Sequence, residues 1–106
     1  MNKVLTYRYE NGSSVLLSIE NDVLAVEWLS GPFKGKGFTR QAFNYRDLGE
    51  NRCLINWHEH EGPSFVTLLI DEGVGKVHGT ALIAYNQDEP IELFEEATII
   101  ETSQVK

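Results

Sequence analysis

The stretch VLTYRYENGSSVLLSIE, Val4 to Glu20, decides the fold class. Its apolar residues recur at every second position, the spacing of a strand with one buried face. Val4 to Tyr9 is rich in β-branched and aromatic residues. Ser14 to Glu20 places Val15, Leu17 and Ile19 on one face. Between them, Asn11-Gly12 is a hairpin signal, because both residue types accept positive φ.

The same pattern continues along the chain. Asn21-Asp22 turns it into Val23 to Leu29, where Leu24, Val26 and Trp28 alternate. SGPFKGKG, Ser30 to Gly37, is the largest break and reads as a flexible loop at one mouth of the fold. Further strands are predicted over Phe38 to Arg46, Arg52 to His58, Phe65 to Asp71, Lys76 to Tyr85 and Ile91 to Glu101. The turns DLGEN, EGPS, DEGVG and NQDEP separate them, and the tail TSQVK is expected to fray. Eight short strands with such turns predict an all-β, antiparallel, up-and-down sheet. Eight strands can close into a barrel that holds one small ligand. With 106 residues and no repeat or linker, residues 1–106 read as a single domain.

Charge and composition narrow the function. Sixteen acidic residues against nine basic give a net charge of −7, and no Lys/Arg cluster offsets it. That field opposes nucleic-acid binding. No apolar run approaches the roughly 20 residues needed to cross a bilayer as a helix, so no membrane partner is expected. The first twelve residues lack the apolar core of a signal peptide. The single Cys53 cannot form an internal disulfide, and it reads as a small buried residue rather than a nucleophile. Together these features predict a cytoplasmic protein.

Alternation sorts the candidate site residues. On the strand that carries NWHEHEG (Asn56 to Gly62), the set Cys53, Ile55, Trp57 and Glu59 shares one face, and Leu54, Asn56, His58 and His60 share the other. The first set is more apolar and should face the interior. On the first strand, Leu5, Tyr7 and Tyr9 should point inward, opposite Val4, Thr6, Arg8 and Glu10. An interior holding two phenols, an indole and a carboxylate must satisfy those polar groups with each other, with water or with a ligand. A carboxyl beside an indole is desolvated, so Glu59 should hold its proton to higher pH and could deliver it. His58 and His60 share a side, but the third histidine, His78, lies on another strand, so no metal site is expected. No G-x-S-x-G, Walker loop or G-x-G-x-x-G occurs.

Several segments resemble a known family. YRYENG (Tyr7 to Gly12), SG and GKG within Ser30 to Gly37, INWHEHEG (Ile55 to Gly62) and VHG (Val77 to Gly79) are similar, in order and spacing, to motifs of the phenolic acid decarboxylases and the MoaF-like proteins. The resemblance spans roughly Tyr7 to Ile100 and implies a calycin, lipocalin-like barrel. In the decarboxylases the barrel binds a hydroxycinnamic acid without any cofactor. Carried over, Tyr7 and Tyr9 would orient the substrate and Glu59 would move the proton. The position of the family's arginine is held by Lys36, which keeps the charge but not the planar fork.

Three readings follow. The first is a MoaF-like binder of a small aromatic or carboxylate ligand through Tyr7, Tyr9, Lys36, Trp57 and Glu59. The second is a cofactor-free phenolic acid decarboxylase with Glu59, Tyr7 and Tyr9 as its catalytic residues. The third is a barrel with a filled interior that serves a structural or partner-binding role. Open sheet edges favour association, so a homodimer is compatible with each.

Overall fold

A computed structural model describes residues 2–60 and 63–104. Among them, nine strands form one antiparallel sheet: β1 (Lys3–Tyr9), β2 (Ser14–Glu20), β3 (Val23–Trp28), β4 (Gly37–Gln41), β5 (Asn44–Gly49), β6 (Arg52–Glu59), β7 (Ser64–Asp71), β8 (Lys76–Ile83) and β9 (Ile91–Gln104). The order across the sheet is β4-β3-β2-β1-β9-β8-β7-β6-β5. Every neighbour in sequence is a neighbour in space except β4 and β5, which stand at opposite ends of the order. The first and last strands meet in the middle.

The expected strand from Phe38 to Arg46 is therefore two strands. The chain breaks at Ala42-Phe43, and the half-buried Phe43 packs against the core. The half before the break pairs with β3 and the half after it with β6. The C-terminal segment also differs from expectation. Ser103 and Gln104 continue the ladder with β1 rather than fraying. Thr102 donates a hydrogen bond to Glu72 at 3.2 Å. In the EGPS turn Glu61 and Gly62 lie outside the described residues, as do Val105 and Lys106 of the tail.

The first hairpin follows the sequence signal. Gly12 takes φ 90°, the Ser13 amide donates to Asn11 Oδ1, and the Tyr9 amide donates to the Ser13 carbonyl. Asn21, with φ 56°, turns β2 into β3.

One face of the sheet carries the whole core. Leu5, Tyr7 and Tyr9 meet Val15, Leu17, Ile19, Leu24, Val26, Ile55, Trp57, Leu68, Ile70, Val77 and Ala97 in one cluster. Leu5 is 1 % exposed, and Ile55 and Val77 are 0 % exposed. No helix among the described residues covers this face. Such burial requires the sheet to curl around its own side chains, which makes the fold barrel-like. The ladder of β1 and β9 shifts register between Thr6 and Tyr7, and such a bulge adds the local twist that curling needs. The radius of gyration, 13.1 Å, matches the roughly 13 Å of a compact chain of this length.

Candidate functional site

Strand direction gathers the chemistry-bearing residues at one end of the barrel. β1 ends at Tyr9, β3 at Trp28, β6 at Glu59 and β8 at Ile83, while β7 begins at Ser64 and β9 at Ile91. In an antiparallel sheet these ends coincide. From β6 to β9 the register sets them level: Glu59 opposes Ser64, Ser64 opposes Ile83, and Ile83 opposes Ile91. The longer β9 meets the end of β1 further in, where Tyr9 opposes Ala97, level with Val77.

The interior is dry in the middle and opens at this end. Inward positions such as Leu68 and Val77 are fully buried, whereas Glu59 and Leu93 are half-buried and Ile91 and Glu95 are exposed. At the opposite end, Lys3 and Glu72 form an ion pair that links β1 to the turn after β7. Burial pushes the Cys53 thiol up, with only partial relief from Lys3. That fits a half-buried structural cysteine rather than a reactive thiolate.

An aromatic row runs from the core out to the β3–β4 loop. Tyr7 and Tyr9 meet edge to face, with ring centroids 5.6 Å apart. Tyr9 stacks on Trp28 at 6.1 Å, and Trp28 meets Phe33 at 5.1 Å. Phe33 belongs to the β3–β4 loop, which folds back through hydrogen bonds from the Trp28 amide to the Lys36 carbonyl and from the Gly35 amide to the Trp28 carbonyl, each 2.9 Å. Burial pushes both phenols up, Tyr9 to about 12 and Tyr7 well above the ordinary tyrosine value. The hydrogen bond between them raises Tyr7 and lowers Tyr9. Neither is a phenolate near neutral pH. Both act as hydrogen-bonding and stacking groups.

Glu59 is the titratable group of this end. Burial raises its proton affinity above the ordinary carboxylate value, and the Trp57 indole, two residues earlier on the same face, offsets part of the rise. Its ionisation therefore opposes folding. That penalty is absent below the carboxyl's unfolded pKa and grows as pH rises through the raised folded value. Glu59→Gln removes it. Compared by urea unfolding between about pH 4 and pH 7, the variant should gain stability relative to the parent as pH rises. A difference that stays constant, or moves the other way, would contradict the burial of this carboxyl.

The five residues singled out from sequence fall into three places. Tyr7 and Tyr9 touch each other, and Trp57 and Glu59 sit together on β6. The two tyrosines and Trp57 belong to one core. Lys36 joins the same end through its backbone, but it is exposed and lines a groove of about 310 Å³ on the outer face, with Leu16, Ser18, Ala25 and Glu27. His58 and His60 point outward, as the alternation requires.

Trp28, Phe33 and Gly79 were not among the candidate site residues, although Trp28 shares the alternating face of its strand and Gly79 closes the VHG segment. A Cβ on Gly79 would lie 2.8 Å from the Tyr9 hydroxyl and 3.2 Å from a Leu68 methyl. The bare backbone of β8 is the notch in which the Tyr9 phenol ends. Tyr9 reaches it from β1, beyond the range of any local pattern. The signal within reach was Gly79 itself, a glycine inside a strand, which often marks a close approach.

No family model matches the chain, and no curated protein matches it in sequence. Among solved structures, the chain is similar to one named "a putative beta-lactamase from Burkholderia vietnamiensis". The TM-score is 0.78 at 16 % identity, over 92 % of this chain and 90 % of that one. Likeness at that identity extends to the fold alone. The chain is an all-β protein whose antiparallel strands curl into a barrel-like sheet.

Proposed function

We propose that the protein binds a small aromatic acid at the open end of its barrel, between the wall of Tyr9, Trp28 and Phe33 and the Trp57–Glu59 pair. The observation that carries this reading is the change in burial along the interior. A sealed apolar centre gives way, at one end only, to aromatic faces and a half-buried carboxyl with raised proton affinity. Aromatic faces take a ring, and a protonated Glu59 can donate a hydrogen bond to a ligand carboxylate. Resemblance to the MoaF-like proteins and the phenolic acid decarboxylases supports the roles of Tyr7, Tyr9 and Glu59. Lys36 adds a flexible cation at this end, and its side chain reaches the mouth only by leaving the outer groove.

A second reading is cofactor-free decarboxylation, favoured by the raised proton affinity of Glu59. There Glu59 would protonate the carbon that loses carbon dioxide, and Tyr7 and Tyr9 would orient the ring. Titration with 4-hydroxycinnamic acid, followed by tryptophan fluorescence and by carbon dioxide release, separates the readings. Binding alone predicts saturable quenching without gas. Trp28→Ala should weaken it by up to roughly tenfold, the worth of one stacking contact. Decarboxylation predicts gas that Glu59→Gln abolishes. No quenching by any aromatic acid would leave a filled barrel in which the tyrosines only satisfy each other.

A further inference from the structure

The outer face of the same barrel end carries a second constellation. His58 and His60 stand two residues apart, with ring centroids 4.3 Å from each other. Tyr85, from the segment after β8, stacks on His58 at 5.7 Å. The Tyr85 hydroxyl and His58 Nε2 share a hydrogen bond of 2.5 Å, whose direction follows the imidazole tautomer. His60 and Tyr85 are exposed and His58 half-buried, and Phe65 closes one side, 6.0 Å from His58.

Tyr85 is held over His58 by the backbone. Ala84 takes φ 56°, the left-handed region, without being glycine. Its amide donates to the hydroxyl of the buried Ser64 at 3.2 Å, and the Tyr85 amide donates to the Pro63 carbonyl at 3.0 Å. A non-glycine residue in that conformation is strained and persists where the surroundings over-determine it. Here it aims a phenol at an imidazole.

Among the described residues, no group of three or more His, Cys, Asp and Glu side chains is placed to hold a metal ion. That donor set leaves out the phenol. We propose that His58, His60 and Tyr85 form a surface site for a divalent transition metal, copper above all. Two imidazoles and one phenolic oxygen are nitrogen and oxygen donors of the kind copper(II) takes in tetragonal geometry, and copper binds most tightly in the divalent series. With bonds of about 2.0 Å, adjacent ligands at right angles stand about 2.8 Å apart. His58 Nε2 and the Tyr85 oxygen need to part by only a few tenths of an ångström. The metal ion replaces the proton shared by the two, which passes to water, and water fills the remaining positions. This site is independent of the aromatic-acid reading, because Glu59 and Trp57 face the other side of β6.

The test is titration of the intact protein with copper(II) against glycine as a weak competing chelator. Electron paramagnetic resonance reads the nitrogen ligands, and visible absorption reads phenolate-to-copper charge transfer. One equivalent should bind, with two imidazole nitrogens and a charge-transfer band. His58→Ala and His60→Ala should each weaken uptake by more than the roughly tenfold that loss of a merely supporting residue costs. Tyr85→Phe should abolish the band and keep the nitrogen signal. His78→Ala and Cys53→Ser should change nothing. Uptake that survives the His58→Ala/His60→Ala double variant, a band unaltered in Tyr85→Phe, or no uptake by the parent protein would each overturn the proposal. His60 is exposed, so its variant keeps the test valid even if the His58 variant folds poorly.

Discussion

Trp57→Ala is expected to lower the unfolding free energy by about 3–5 kcal/mol, the usual cost of removing a buried aromatic side chain. The indole is 4 % exposed and lies in the single core with Tyr7, Tyr9, Ile55 and Leu68. Among the described residues no second layer exists to collapse into the space. Among the described residues the sheet walls its own interior, so closing the cavity would require changing its curvature. A domain of this size has total stability of about 5–15 kcal/mol, so the variant should unfold at a much lower urea concentration or fail to fold at 37 °C. A midpoint close to that of the parent would mean that the indole is not a core residue, and the inward assignment of β6 would fall with it.

Gly79→Ala is the second large effect, and it ties stability to the site. The added methyl meets the Tyr9 hydroxyl at 2.8 Å, closer than real contacts allow, so the phenol must move out of its notch. Overpacking of this kind costs about 1–3 kcal/mol. It also disturbs the stacking of Tyr9 on Trp28 and the contact between Tyr7 and Tyr9. Tyr9→Phe removes the oxygen with which the methyl collides, so the double variant should be more stable than the sum of the two single changes implies. Strict additivity would show that Gly79 and Tyr9 do not touch. Aromatic-acid binding should weaken in Gly79→Ala even where the protein remains folded, because the displaced phenol enters the space a ligand ring would occupy.

Much of this was legible in the period of two. Alternation alone put Leu5, Tyr7, Tyr9, Ile55 and Trp57 inside, and these residues are in the core. It also set Glu59 against His58 and His60 on opposite faces of one strand. Such a reading works because a one-residue slip would turn the whole apolar set into water. It fails where the deciding contact is distant in sequence. FTRQAFNYR, Phe38 to Arg46, contains no Gly, Pro or Asn-Gly pair to mark a break, and the chain divides there as Phe43 packs against the core. The notch at Gly79 depends on a phenol seventy positions earlier. Tyr85 reaches His58 only because Ala84 turns through positive φ and Ser64 and Pro63 hold the segment in place. Nothing in the order NWHEHEG announces a tyrosine ligand. The side chain of Lys36 lines an outer groove for a related reason: the loop that carries it is shaped by the packing of Phe33 on Trp28.

The most direct measurement is a nuclear magnetic resonance titration of isotope-labelled protein with 4-hydroxycinnamic acid, following the backbone amides, the Glu59 carboxyl carbon and the vinyl protons of the ligand in one tube. The account predicts saturable shifts confined to the open end, at Tyr9, Trp28, Phe33, Trp57 and Glu59, with a Glu59 signal that responds to the ligand carboxylate. Unchanged vinyl signals would identify a binder, and new vinyl product signals an enzyme. Shifts centred instead on the outer groove around Leu16, Ala25 and Lys36, or none across a panel of aromatic acids, would contradict it.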